Sequence, residues 1–246
     1  MIISIIAALL VLFLLLWCLG NYNIWRPVVP TDRPRILMYH SISSDVSDLS
    51  VSVSQFEQQL TWLKAKGYRF VTVSELVETE VSDKVVALTF DDGFEDNYTN
   101  MFPVLQRHNA KASIYIAPDI TGINKLTGEQ VKIMQASGLC EFGAHTMNHV
   151  NLSHLDDQQA RYEIEQSKQQ VESMTQEICR SFAYPFGRYT GRTVELVKAA
   201  GFDSAVTVKK GIEPISDPLQ IKRISILGKT NIVQFYIAIT RGRYRV

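Results

Sequence analysis

The chain has 246 residues, 46% of them hydrophobic, and 25 Lys+Arg balance 25 Asp+Glu. That composition supplies a sizeable core and excludes collagen-like and wholly disordered classes. Zero formal net charge argues against a general nucleic-acid binder, and three scattered cysteines exclude a disulfide scaffold or a Cys-based zinc module.

The first charged side chain is Arg26. Before it, residues 2–19 form an apolar run interrupted only by Ser4, close to the ~20 residues that cross a bilayer core. The alternative is a cleaved signal peptide. No Lys or Arg precedes the run, it exceeds the usual ~7–15 apolar residues, and no A-x-A-like site follows. Trp17, Tyr22 and Trp25 suit a membrane interface. Cys18 follows Trp17, not the small residue that a lipid-accepting cysteine needs. Residues 1–20 are therefore expected to be an uncleaved transmembrane anchor, giving a membrane partner through this helix. Arg26, Arg33 and Arg35 follow it, so positive-inside counting leaves the rest of the chain in the cytoplasm.

Residues 21–34 hold three prolines without periodicity and read as a linker. One domain is expected over 35–246. A strand at 35–40 leads to a helix at 54–66, where Ser54 and Glu57 form a capping box and Phe56, Leu60 and Leu63 share a face. A strand at 68–71, a short helix at 74–79 and a buried strand at 85–90 follow. Next come a helix at 101–108, with Pro103 in its first turn, a strand at 113–116, a helix at 127–137 and a strand at 140–144. Ser153 and Asp156 open a helix to 175. Strands at 181–183, 203–207 and 221–226 alternate with helices at 190–200 and 231–239. About seven parallel βα units suggest a barrel, whose chemistry sits where strands end.

Four motifs lie at such ends. Asp91 and Asp92 close the strand at 85–90; one carboxylate can bind a metal while the other faces substrate, and Gly93 lets the backbone turn. The alternative is a solvated acidic turn. His145 and His149, at i and i+4 after the strand at 140–144, lie on one side of a helical turn and can grip one ion, or are two surface histidines. Tyr184-Pro185-Phe186-Gly187 is a stiff turn able to present a backbone N–H to an oxyanion. His40 ends the first strand and suits a general acid if it faces the same mouth.

T-F-D-D-G, H-T-M-N-H and Y-P-F-G, in this order, resemble the polysaccharide deacetylases with the NodB homology domain, carbohydrate esterase family 4. The likeness covers roughly 35–230. The start I-L-M-Y-H, followed by F-x-x-Q-L-x-W-L-K, is similar to the branch acting on poly-β-1,6-N-acetylglucosamine. The resemblance implies an α/β fold with a distorted (β/α)7-type barrel, here preceded by one N-terminal transmembrane helix. It implies a metal-dependent hydrolase that removes N-acetyl groups from an N-acetylglucosamine polysaccharide outside the cytoplasmic membrane, against the positive-inside count. Asp91 is then the general base and His40 the general acid. Asp92, His145 and His149 hold a divalent metal, Zn2+ first and Co2+ or Ni2+ as alternatives. Phe186, with Tyr184 and Pro185, belongs to the substrate and oxyanion side, the Phe186 N–H helping to hold the oxyanion. Many members carry an Arg in the third motif that orients the base. That slot is Ala183 here, and Arg180, three residues upstream, is the candidate substitute. No His follows His154, so His40 must supply the acid.

Phe94, Tyr98, Tyr184, Phe186 and Tyr189 are candidates to stack on sugars. The basic residues Lys222, Arg223, Lys229, Arg241, Arg243 and Arg245 form a tail that either rests on anionic lipid or is simply basic. Other acetylated glycans (peptidoglycan, an O-acetyl ester, a lipid-linked sugar) and a non-catalytic carbohydrate binder are the competing readings. A glycosidase is disfavoured, because adjacent carboxylates cannot flank a bond at ~5 Å or more.

Overall fold

The computed structural model describes residues 2–79 and 83–243. Helix α1 (Ile2–Asn21) opens the chain, and its described side chains, residues 4–20, are exposed apart from a half-buried Cys18. Among the described residues no helix is long and apolar enough to cross a membrane. The expected span over 1–20 is therefore not carried by them.

The strands and helices then alternate. β1 (Arg35–Tyr39) is followed by the short strands β2 (Ser41–Ile42) and β3 (Ser50–Val51), α2 (Val53–Ala65), β4 (Arg69–Val71), α3 (Val73–Glu78) and β5 (Val85–Phe90). A π-helical turn, Asn97–Met101, runs into α4 (Phe102–His108). Next come β6 (Ala112–Ile116), α5 (Gly128–Ala136), β7 (Cys140–Ala144), α6 (Asp157–Thr175), β8 (Ser181–Ala183) and α7 (Gly191–Ala199). β9 (Ser204–Lys210), β10 (Ile221–Ser225) and α8 (Ile232–Arg241) complete the chain.

Seven of these strands close a ring, β1–β10–β9–β8–β7–β6–β5, with β5 paired back onto β1. All its pairings are parallel, and β4 adds to the first half of β5. Every residue of β1, β5 and β6 is buried, as expected for strands covered on both faces. The period of two divides them. Leu37, Tyr39, Val86, Leu88 and Phe90 join the outer cluster under the helices. Ile36, Val85, Ala87, Tyr115, Ala183, Val206 and Ile221 fill the interior, with Val73 and Leu76 of α3 packed among them. A Cβ on Gly143 would lie 2.5 Å from the Tyr115 ring, so that interior ring depends on a glycine in β7.

The bounds of β5, β7 and β8 coincide with the sequence expectation. Two expected helix caps differ. Ser52 caps α2 in a box with Gln55, not Ser54 with Glu57, because the cap must follow directly on β3. Glu57 instead pairs with Arg107 and His108. Asp156 alone caps α6 with Gln159, while Ser153 lies in a preceding turn. The segment before β1 is pinned by the buried Arg35, which donates to the Val29, Pro30, Arg33 and Ile239 carbonyls.

The basic tail does not form one free patch. Lys222 pairs with Glu213, Lys229 pairs with Asp48, and Arg223 is buried inside the barrel. Arg245 lies outside the described residues.

Candidate active site

The ends of β1, β5, β7, β8 and β10 meet at one mouth. The in–out alternation of β5 points Ala87, Thr89 and then Asp91 inward. Asp91 is 2% exposed, and its backbone N–H donates to Tyr39 O at 3.1 Å. Asp92 next takes φ 76° and Gly93 φ 75°. Two successive left-handed residues swing the second carboxylate to the same mouth, which a continuing strand could not do. A side chain at Gly93 would also press on Ile116 at 3.3 Å.

Asp91 is gripped by a residue that the sequence reading did not assign. Arg223, 0% exposed, forms a fork: Nη1 donates to Oδ1 and Nη2 to Oδ2, both at 2.7 Å. The guanidinium is fixed in turn by Thr207 O at 2.9 Å and Thr89 Oγ1 at 3.0 Å, and it lies over the Tyr115 ring. Burial pushes the Asp91 pKa up, but the Arg223 charge and its hydrogen bonds outweigh it and hold the carboxyl well below the usual range. Arg180 is not the substitute. It pairs at the surface with Asp203, because Ser181–Ala183 carries the chain inward only after it. A signal for Arg223 was present: Ile221 and Arg223 share the inward period of β10.

His145 and His149 do come together, but on a loop rather than a helical turn. Thr146 at φ 59° and His149 at φ 52° bend the chain instead. The His145 Nδ1 lies 2.7 Å from Ala183 O, and a carbonyl only accepts, so Nδ1 carries the proton and Nε2 a lone pair. That Nε2 is 3.5 Å from Asp92 Oδ1, and His149 Nε2 is 3.3 Å from it. The ligand atoms of Asp92, His145 and His149 all lie within 4.8 Å of one another. Asp92 Oδ1 is buried with no hydrogen-bond partner. Burial and the Asp91 charge raise Asp92 to about 7, and burial lowers His145 to about 3. Neutral imidazoles beside an unsatisfied buried carboxylate are the donor set of a two-His, one-carboxylate metal site, so the residues fit a divalent cation.

His40 stands next to this set. Its Nδ1 is buried without a partner, and burial lowers its pKa despite the Asp91 charge. Phe186 is 56% exposed, takes φ 56°, and lays its ring 4.4 Å from that of His149. Tyr184 and Pro185 are buried at the start of this turn. Tyr184 OH donates to Leu219 O, and its ring stacks on Tyr189. Tyr98 likewise stacks on Phe102. Of the five aromatic candidates, Phe186 is the exposed one; Phe94, Tyr98 and Tyr189 are half-buried and Tyr184 is buried.

Residues 78–205 match the polysaccharide deacetylase family. YxkH of Bacillus subtilis is 36% identical over 192 residues, 74% of this chain and 68% of that protein. The poly-β-1,6-N-acetyl-D-glucosamine N-deacetylase of Staphylococcus aureus is 26% identical over 209 residues, 77% of this chain and 72% of that one. The Streptococcus pyogenes deacetylase PplD, solved in complex with acetate, superimposes with a TM-score of 0.78 at 28% identity, over 86% of this chain and 99% of that one. IcaB from Ammonifex degensii gives a TM-score of 0.73 at 28% identity, over 85% of this chain and 97% of that one.

Proposed function

This chain belongs to the polysaccharide deacetylase family, and from that premise we propose that it is a metal-dependent N-deacetylase of an N-acetylglucosamine polysaccharide. The observation that carries the reading is the Asp92–His145–His149 cluster beside an Asp91 locked by Arg223. The likeness to the S. aureus enzyme supports the polymer class.

Asp92, His145 and His149 would hold the divalent ion, Zn2+ by their donor chemistry, with Co2+ or Ni2+ as alternatives. When bound, such an ion supplies Lewis acidity that acidifies water and favours charge on the acetamide oxygen. Asp91, kept ionised and fixed by Arg223, accepts the proton of the attacking water. The Phe186 backbone N–H supports the developing oxyanion, and its ring offers a face to the sugar. His40 in its protonated form delivers a proton to the leaving nitrogen. The products are acetate and a free amino sugar. A new amine, rather than a new hydroxyl, separates this reaction from ester deacetylation. Oligomers joined β-1,4 and β-1,6 test the linkage.

His40→Ala is expected to lower kcat by about 10²- to 10⁴-fold while the metal content stays unchanged. Acetate release and metal analysis on the same preparation check this, and full activity would remove His40 from the mechanism.

We also place the barrel outside the cytoplasmic membrane, attached through α1. The exposed apolar side chains of residues 4–20 support attachment. Arg26, Arg33 and Arg35 argue for the other side. Added protease is expected to degrade the barrel in intact spheroplasts. Protection until lysis would reverse the placement.

A further inference from the structure

His40 is the first residue after β1, where the ladder no longer fixes the chain. Something else must hold it, and the loop after β5 does so. Asn97, fully buried, donates its Nδ2–H to the His40 carbonyl at 2.9 Å and to Asp96 Oδ1 at 3.0 Å. Asp96 accepts from Ser41 Oγ at 2.6 Å and from the Ile42 N–H at 2.9 Å. Asn100 donates to Ile42 O at 2.8 Å. Residues 40–42 are thus bonded one after another to three side chains of the π-helical turn.

Two details set this apart from ordinary turn chemistry. Asp96 occupies the N-cap position of the turn but makes no capping bond; both its oxygens go to Ser41 and Ile42. Asn97 leaves its Oδ1 buried without a partner, which costs about 1–3 kcal/mol, so the position is held for its donor. The turn is π-helical, a form concentrated at functional sites. It is also continuous in sequence with Asp91 and Asp92. One loop therefore carries the base, a metal ligand and the holder of the acid.

We infer that Asp96, Asn97 and Asn100 are positioning residues that set His40 over the mouth relative to Asp91 and Asp92. The inference rests on the reading of His40 as the general acid. Misplacing a catalytic group by ~1 Å costs about 10²-fold.

The test is a double-mutant cycle on the full chain, with acetate release from N-acetylglucosamine oligomers as the readout. Asn97→Ala is expected to lower kcat by about 10- to 100-fold, with KM and metal content unchanged. In a His40→Ala background the same change is expected to alter kcat by less than about twofold, since its target is gone. Asn100→Ala, at a half-buried position, replaces Asn97→Ala in the cycle if the latter does not fold. Full activity of His40→Ala overturns the acid reading itself. An active-site loss in His40→Ala with no loss in the clamp variant, or an equal loss in both backgrounds, overturns the clamp alone.

Discussion

Arg223→Met is expected to abolish turnover and to destabilise the fold by about 3–5 kcal/mol. Arg223 and Asp91 are both inside the barrel, joined by two bonds of 2.7 Å. Methionine keeps most of the volume and removes the fork. Asp91 is then a buried carboxylate without its ion-pair partner, and burial, now opposed only by the nearby His145 and His40, drives it to protonate. A protonated Asp91 cannot act as a base. Pairing Arg223→Met with Asp91→Asn is expected to restore much of the stability and none of the activity. The pH dependence has a definite sign. Asp91 is depressed in the folded state, so the pair contributes fully above the ordinary aspartate value near ~3.9 and is lost as pH falls below it. The gap in unfolding free energy between wild type and variant should narrow in acid and widen as pH rises above ~3.9, because Asp91 is protonated in the folded variant but ionised in its unfolded chain. Urea melts across that range check this; equal stability at neutral pH would mean that the ion pair does not hold the base.

His149→Ala is the second large effect. It removes one of three ligand atoms of the cluster and uncovers the inner face of Phe186, which lies against the imidazole. Metal content is expected to fall to background after dialysis, and turnover with it, by at least about 10³-fold. His145→Ala should do the same and also free Ala183 O, its Nδ1 partner. Asp91→Asn makes the contrast: it should lose turnover and keep the metal. Metal retained in both histidine variants would dissolve the cluster as a binding site.

Much of this site could be read from the chain before folding. The apolar run at 85–90 and the short strand at 140–144 each end in a recognisable motif, and the carboxylates and histidines sit just beyond them. Local spacing did not give the backbone path. The i, i+4 histidines meet through left-handed turns at Thr146 and His149, which no helical periodicity describes. Arg223 was hidden for a topological reason. It is 132 residues from Asp91 and becomes its neighbour only when β1 closes the ring between β10 and β5. Until the ring is closed, the inward residues of β10 cannot be matched to the end of β5. The cap of α2 failed differently. Two overlapping boxes were available, and the short β2–β3 ladder just before the helix selected Ser52.

Metal-dependent release of acetate underlies every step proposed for this site. The full chain in detergent should release acetate and free amine from N-acetylglucosamine oligomers. A chelator should stop the release, zinc or cobalt should restore it, and Asp91→Asn should remain silent throughout. Release that continues in chelator, or none with any divalent metal on β-1,4 and β-1,6 oligomers alike, would contradict the account.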